Sequence, residues 1–215
     1  LTRRTFSAGA CVLAAAATLS LHGPRTASAQ DADAAELAKA SPLGDIVLGA
    51  ADAPVTMIEY ASLSCGHCAA FHTSTYPTLK AEYIDTGKVR FIFREYPLDM
   101  QGAAASLVAR CAGNGDPQKY HEAVGKLFAT QDQWVRTDTA ERLRRIANQS
   151  GLDDDAFNAC LGNQAMVDGL QLGMAHAHSR LKVDSTPTFF VNGTPLRGAW
   201  PIDEFRKLIE AKLKS

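Results

Sequence analysis

A β-branched, apolar run, Val55-Thr56-Met57-Ile58-Glu59-Tyr60, ends at Ser62–Ser64. Cys65-Gly66-His67-Cys68 follows at once and opens a helical pattern. Two sulfurs three residues apart at a helix start can bond without moving the backbone, because the first turn brings residue i near i+3. The first cysteine then sits at the positive end of the helix dipole, beside backbone N–H groups that have no intrahelical partner. Such settings lower a cysteine pKa from ~8.5 to roughly 3.5–7.5. His67, between the sulfurs, offers a further donor or a positive charge. A pair whose thiolate is stabilised has a stabilised reduced form and is an oxidant. Cys65 is therefore expected to be the exposed sulfur that forms mixed disulfides. Cys68, one turn inside the helix, is the expected buried resolving thiol, and Gly66 lets a substrate backbone come close. A lone C-x-x-C is also half of a zinc site or a structural disulfide. A second ligand pair at suitable spacing is missing, and His176 and His178, at i and i+2, fall on different helix faces. No metal and no bound cofactor is expected.

The helical pattern runs through Phe71 to Tyr83, with a kink expected at Pro77 and a stop at Gly87. Val89 to Arg94 is the next strand, completing β–α–β, the unit of a parallel or mixed sheet. From Asp99 to about Leu181 strand signals vanish, and four or five helices are expected. Asp138 with Glu141 has the form of a capping box, and Gly151 stands where a helix-ending glycine would. Strands return at Thr188–Val191 and Thr194–Arg197, joined by Asn192-Gly193, a strong hairpin signal. A C-terminal amphipathic helix places Ile202, Phe205, Leu208, Ile209 and Leu213 on one face. The outer parts, 43–98 and 182–215, form one α/β domain, and 99–181 is an all-helical domain inserted into it. Residues 30–42 form a short tail with one helical turn.

At 215 residues, with 46% apolar and 21% charged side chains, the chain can bury a sizeable core. Residues 1–29 resemble an export signal peptide. Arg3 and Arg4 precede an apolar run from Phe6 to Leu21, and Ala27-Ser28-Ala29 is an A-x-A type cleavage site. Thr2 to Phe6 also matches a twin-arginine signal. A membrane anchor is the competing reading, but the run is shorter than the ~20 residues that a span needs. Without this segment 19 basic and 23 acidic residues remain, so no basic patch argues for nucleic acid. Cys11 leaves with the signal. The other four cysteines fit disulfide formation in an oxidising compartment, the periplasm. Three connectivities are open; the C-x-x-C spacing favours Cys65–Cys68 and leaves Cys111 with Cys160. Two buried free thiols are the alternative for that second pair.

Tyr60 to Phe71 around the C-x-x-C, together with Val183-Asp184-Ser185-Thr186-Pro187-Thr188-Phe189-Phe190-Val191-Asn192-Gly193, resembles the DsbA-type thiol–disulfide oxidoreductases over about residues 43–215. The resemblance implies a thioredoxin-like fold with an inserted helical domain. It implies a cis Thr186–Pro187 bond facing the cysteines, with the Thr186 backbone open to a substrate peptide. Glu59 matches a buried acid of the family that takes or relays the Cys68 proton, whereas read alone it is also a strand-end glutamate in solvent. The implied activity is disulfide transfer to reduced or unfolded protein substrates, with a membrane redox partner for reoxidation. Only about a dozen residues precede the fold, which favours a monomer over members that assemble through a long N-terminal extension.

Two departures bear on the assignment. Gly66-His67 replaces the enteric Pro-His, as in protein disulfide isomerases, and Thr186 replaces a valine. A less oxidising isomerase or reductase is the second reading; a metal-binding or chaperone-like module using the same thiols is the third. A Cys111–Cys160 bridge looks like a family subgroup, read as a staple worth ~2–4 kcal/mol or as a modulator of the active-site potential. His72, His121, His176 and His178 are read as surface or satisfied histidines. Trp134 and Trp200 are read as packing residues, with the border of a peptide groove as the alternative.

Overall fold

The computed structural model describes residues 34–214. The expected signal over 1–29, with Arg3, Arg4, Cys11 and the Ala27-Ser28-Ala29 site, lies outside the described residues, as does the start of the tail. The rest of the tail carries one short helix, α1 (Ala34–Ala38).

Five strands form one mixed sheet. They are β1 (Ile46–Leu48), β2 (Val55–Ala61), β3 (Val89–Glu95), β4 (Thr188–Val191) and β5 (Thr194–Arg197), in the order β1-β3-β2-β4-β5. Strands β2 and β3 run parallel, and the other pairings are antiparallel. Strand β1 has no counterpart in the sequence reading: three residues are too few to show a period, and pairing with β3 makes them a strand. Asn192 and Gly193 turn the β4–β5 hairpin with φ of 43° and 88°, as a primed turn requires. Asn192 also accepts from the Thr56 N–H at 2.7 Å, tying the turn to β2.

Between β2 and β3 the chain makes one helical run: α2 (Gly66–Ala70), a π-helical turn (Phe71–Thr75), α3 (Tyr76–Leu79) and a second π-helical turn (Lys80–Ile84). The irregularity expected at Pro77 takes the form of the first widened turn just before it. Pro77 has no N–H to give, the Tyr76 N–H reaches Phe71, and the Thr73 and Ser74 hydroxyls bond Ala69 and Ala70 carbonyls. Gly87 ends the run at φ 74°.

Between β3 and β4 the described residues hold six helices, not four or five: α4 (Met100–Gly113), α5 (Pro117–Ala129), α6 (Gln131–Trp134), α7 (Thr139–Asn148), α8 (Asp154–Leu161) and α9 (Gln164–Leu181). Helix α6 is one turn, below what periodicity resolves. The capping box at Asp138 does not form. Asp138 is left-handed at φ 50° and its side chain caps nothing, while Glu141 pairs with Arg145 instead. Gly151 does follow α7 at φ 88°, with the Leu152 N–H returning to the Ala147 carbonyl. Helix α10 (Ile202–Leu213) closes the chain and buries Phe205 and Ile209. Among the described residues no helix is long and apolar enough to cross a membrane.

Alternation along the strands sends side chains to two buried faces. Met57, Phe91, Phe93, Phe189 and Val191 meet Phe71, Leu79 and Phe205, and this core continues into Leu127, Phe128, Trp134 and Phe157 of the helical segment. Ile58, Tyr60, Ile92 and Phe190 face Leu37, Ala177, Leu181 and Val183 on the other side. Glu59 falls on the first face, beneath the helical run. Trp134 is fully buried and donates to the Leu127 carbonyl, whereas Trp200 is 42% exposed.

Cys111 of α4 and Cys160 of α8 form a disulfide that closes a loop of 49 residues. Replacing both by alanine is expected to cost about 2–4 kcal/mol, measured as a fall in denaturant midpoint of the pair variant.

Candidate active site

Cys65 is the N-cap residue of α2, with extended backbone, and Gly66 takes the first helical position. Both Cys65 and Cys68 are free thiols; Cys65 is partly exposed and Cys68 fully buried. A Cβ at Gly66 would meet nothing within 4 Å among the described residues, which leave the space over the first turn open. Across from the helix, the Thr186–Pro187 bond is cis, and the Cys65 thiol donates to the Thr186 carbonyl at 3.5 Å. Among the described residues the buried Thr186 hydroxyl has no hydrogen-bond partner, and the Thr186 side chain acts on the Cys65 sulfur.

These contacts split the two thiols. The Cys68 S–H, donated to the Cys65 sulfur, is the main force holding Cys65 down at about 5; the Thr186 side chain and the backbone N–H groups of Cys68 and His67 add to it, against an opposing effect of burial. Burial drives the Cys68 thiol far above the ordinary range, and its bond to Cys65 and the nearby Glu59 charge push the same way. The His67 contribution runs through its backbone N–H, while its side chain lies exposed.

Glu59 is fully enclosed, not in solvent. One carboxylate oxygen, Oε2, lies 2.9 Å from His72 Nε2, and the other, Oε1, has no hydrogen-bond partner among the described residues. His72 follows Cys68 by four residues, so both project from one side of the helical run onto the sheet face that carries Glu59. The four-residue spacing was visible in the sequence; that Glu59 lies opposite it was not.

The helical segment also reaches the site. Gln131 of α6 donates to the carbonyls of Leu63 and Cys65 at 2.7 and 3.0 Å. Ser62 Oγ accepts from the Ser64 and Leu98 N–H groups. Gly102 lets α4 come this close, because a Cβ there would stand 2.7 Å from Ser62 Oγ and 2.8 Å from Ser64 Oγ. Gln131 and Gly102 carry no sequence signal, since each acts across a gap of tens of residues.

His176 bonds Glu36, and His178 faces the Val183 carbonyl. His121 is buried near Phe91, where burial lowers it to about 4. Among the described residues no three His, Cys, Asp or Glu side chains converge as metal ligands would.

A thioredoxin family model matches residues 41–211. A putative protein-disulfide oxidoreductase of Rickettsia bellii is 34% identical over 151 residues, 69% of this chain and 57% of the relative. The chain spans about three fifths of the length of the Rickettsia relatives it matches. Disulfide bond formation protein D of Bacillus subtilis is 27% identical, with 80% of this chain and 78% of the relative covered. The crystal structure of Wolbachia pipientis alpha-DsbA1 aligns with a TM-score of 0.75 at 33% identity, covering 79% of this chain and 91% of that one.

Proposed function

The chain belongs to the thioredoxin family, among its DsbA-type members, and from that premise we propose that it is an exported oxidase that transfers a disulfide from Cys65–Cys68 to reduced protein substrates. The observation that carries this reading is the split between the two thiols. A Cys65 thiolate held at about 5 makes the reduced state the comfortable one, so the Cys65–Cys68 disulfide is readily given away.

In the proposed cycle a substrate thiolate attacks Cys65 Sγ of the oxidised pair. The Cys65–Cys68 bond breaks, and Cys68, which cannot remain charged in its buried site, takes up a proton. A second substrate thiolate then attacks the substrate sulfur of the mixed disulfide. Cys65 leaves as a thiolate and the substrate keeps the new disulfide. A disulfide-bearing membrane partner restores the pair by the reverse exchange. The open space over Gly66 and the exposed edge of Cys65 suit a peptide approaching along Thr186. The protein is proposed to work as a monomer in the periplasm, without a bound cofactor.

The test is equilibration with glutathione buffers across pH. With Cys65 ionised and Cys68 protonated, each two-electron reduction takes up one proton above about pH 5, because the buried Cys68 thiol keeps its proton far into the alkaline range. The potential should then fall by about 30 mV per pH unit in that window and by about 59 mV per unit below it. The expected value near neutrality is at or above the roughly −180 mV of protein disulfide isomerase; a value of about −270 mV, as in thioredoxin, would sink the oxidase reading.

A further inference from the structure

Cys68 and Glu59 are both fully buried, the Glu59 charge acts on the Cys68 thiol, and exchange requires Cys68 to lose and regain a proton. The only hydrogen bond to the Glu59 carboxylate among the described residues comes from His72, at 2.9 Å, and it engages Oε2 alone. The His72 ring is itself clamped. It stacks on Phe128 of α5 at 4.2 Å and 19°, and it lies 4.8 Å from the Tyr76 ring and 5.8 Å from Phe93. A side chain held this way fixes the carboxylate without turning with it.

We propose that His72 is a positioning residue for thiol–disulfide exchange: it holds Glu59 Oε2 so that Oε1 is left to accept the proton of Cys68 and to return it. The inference rests on the exchange chemistry proposed above. In the closing step, Cys68 S–H gives its proton to Oε1 and the Cys68 thiolate attacks Cys65 Sγ of a mixed disulfide. The Cys65–Cys68 bond forms, and the bond from Cys65 to the outgoing sulfur breaks. The electron pair leaves on that sulfur, so the dithiol is oxidised and the incoming disulfide reduced. The Nε2–H of His72 donates to the carboxylate before the transfer and remains in place after it. The titratable groups around the His72 ring are Glu59 from β2, Cys68 and Tyr76 from its own helical run, and His121 from α5.

Reduced protein mixed rapidly with glutathione disulfide separates two events. Attack by Cys65 is second order, and closure by Cys68 sets a first-order limit at high glutathione disulfide. His72→Phe keeps the stacking ring and loses the N–H. It is expected to slow closure about tenfold at neutral pH and to move its pH profile upward, with the second-order phase unchanged. His72→Gln, which keeps a donor, should restore the profile. Closure unchanged in His72→Phe, or slowed equally in both variants, overturns the proposal and leaves a packing role. If His72→Phe does not fold, the imidazole nitrogen NMR signals of the wild-type protein decide. They must shift on reduction of Cys65–Cys68, and in the Glu59→Gln variant they must lose that response; signals indifferent to either change overturn the proposal. Failure of the oxidase reading is seen separately, as absence of disulfide transfer to a reduced peptide while closure with glutathione still depends on His72.

Discussion

Cys68→Ala is expected to convert the protein into a trap. Mixed disulfides through Cys65 should accumulate with glutathione disulfide or with disulfide-bearing peptides, each releasing the other half as a thiol, and turnover should fall at least about a thousandfold. The magnitude follows from the intramolecular advantage of Cys68, since well-placed neighbouring groups act at effective concentrations far above any external thiol. The same substitution removes the S–H that contributes most to the Cys65 thiolate, so the Cys65 titration should move up from about 5. Ultraviolet thiolate absorbance and intact mass read the two effects separately. A titration still centred near 5 in the variant would show that Thr186 and the helix N-terminus stabilise the charge without Cys68. The sign of the linked stability is definite. A thiol lowered on folding stabilises the reduced protein fully above its ordinary value of 9.0, and that contribution is lost as pH falls through about 5. The folding stability of the reduced protein should therefore gain on that of the oxidised protein as pH rises from 5 towards 9, even as the potential itself falls.

Glu95→Ala is expected to be the most damaging single change outside the thiols. Glu95 ends β3 and takes two hydrogen bonds from Arg110 of α4, at 2.6 and 2.8 Å, and one from the Tyr120 hydroxyl of α5 at 2.6 Å. Arg110 extends the network to the Leu43 and Gly44 carbonyls ahead of β1. Its side chain is only 9% exposed, so removing the carboxylate leaves a buried cation and a buried hydroxyl without their partner. Breaking one side of such a pair costs about 3–5 kcal/mol. At about 2–4 °C per kcal/mol for a chain of this size, a drop in Tm of roughly 10 °C is expected. Thermal unfolding of Glu95→Ala beside Glu95→Gln checks it. The glutamine keeps one acceptor oxygen, enough for Arg110 Nε and the Tyr120 hydroxyl, and loses the acceptor of Arg110 Nη2; a loss as large as that of the alanine variant would mean that the second acceptor and the charge together hold α4 and α5 to the sheet.

Much of the scaffold was legible because it rests on local chemistry. The β2 run, the dithiol at a helix start, the Asn192-Gly193 hairpin and the α10 stripe each depend on neighbours within a few residues. The misreadings share the opposite character. Strand β1 exists only through pairing with β3, and α6 is too short to show a period. Asp138 and Glu141 have the letters of a capping box, yet the backbone turns left-handed at Asp138 and the box does not close. The sequence reads His72 as a surface or satisfied histidine; it is buried, and it is satisfied by Glu59.

Within the site the division is the same. The four-residue motif alone determined that two sulfurs sit one turn apart at a helix start, with the first exposed to backbone N–H groups, because helix geometry needs nothing from the rest of the chain. Packing decided what the motif could not: how deeply Cys68 is sealed and which distant groups meet the two thiols. Thr186 meets Cys65 across 121 residues of sequence, Gln131 reaches the Cys65 carbonyl from a helix 66 residues on, and Glu59 is sealed beneath the helical run. The cost of burying a charge depends on which surfaces close over it, and no local pattern encodes that.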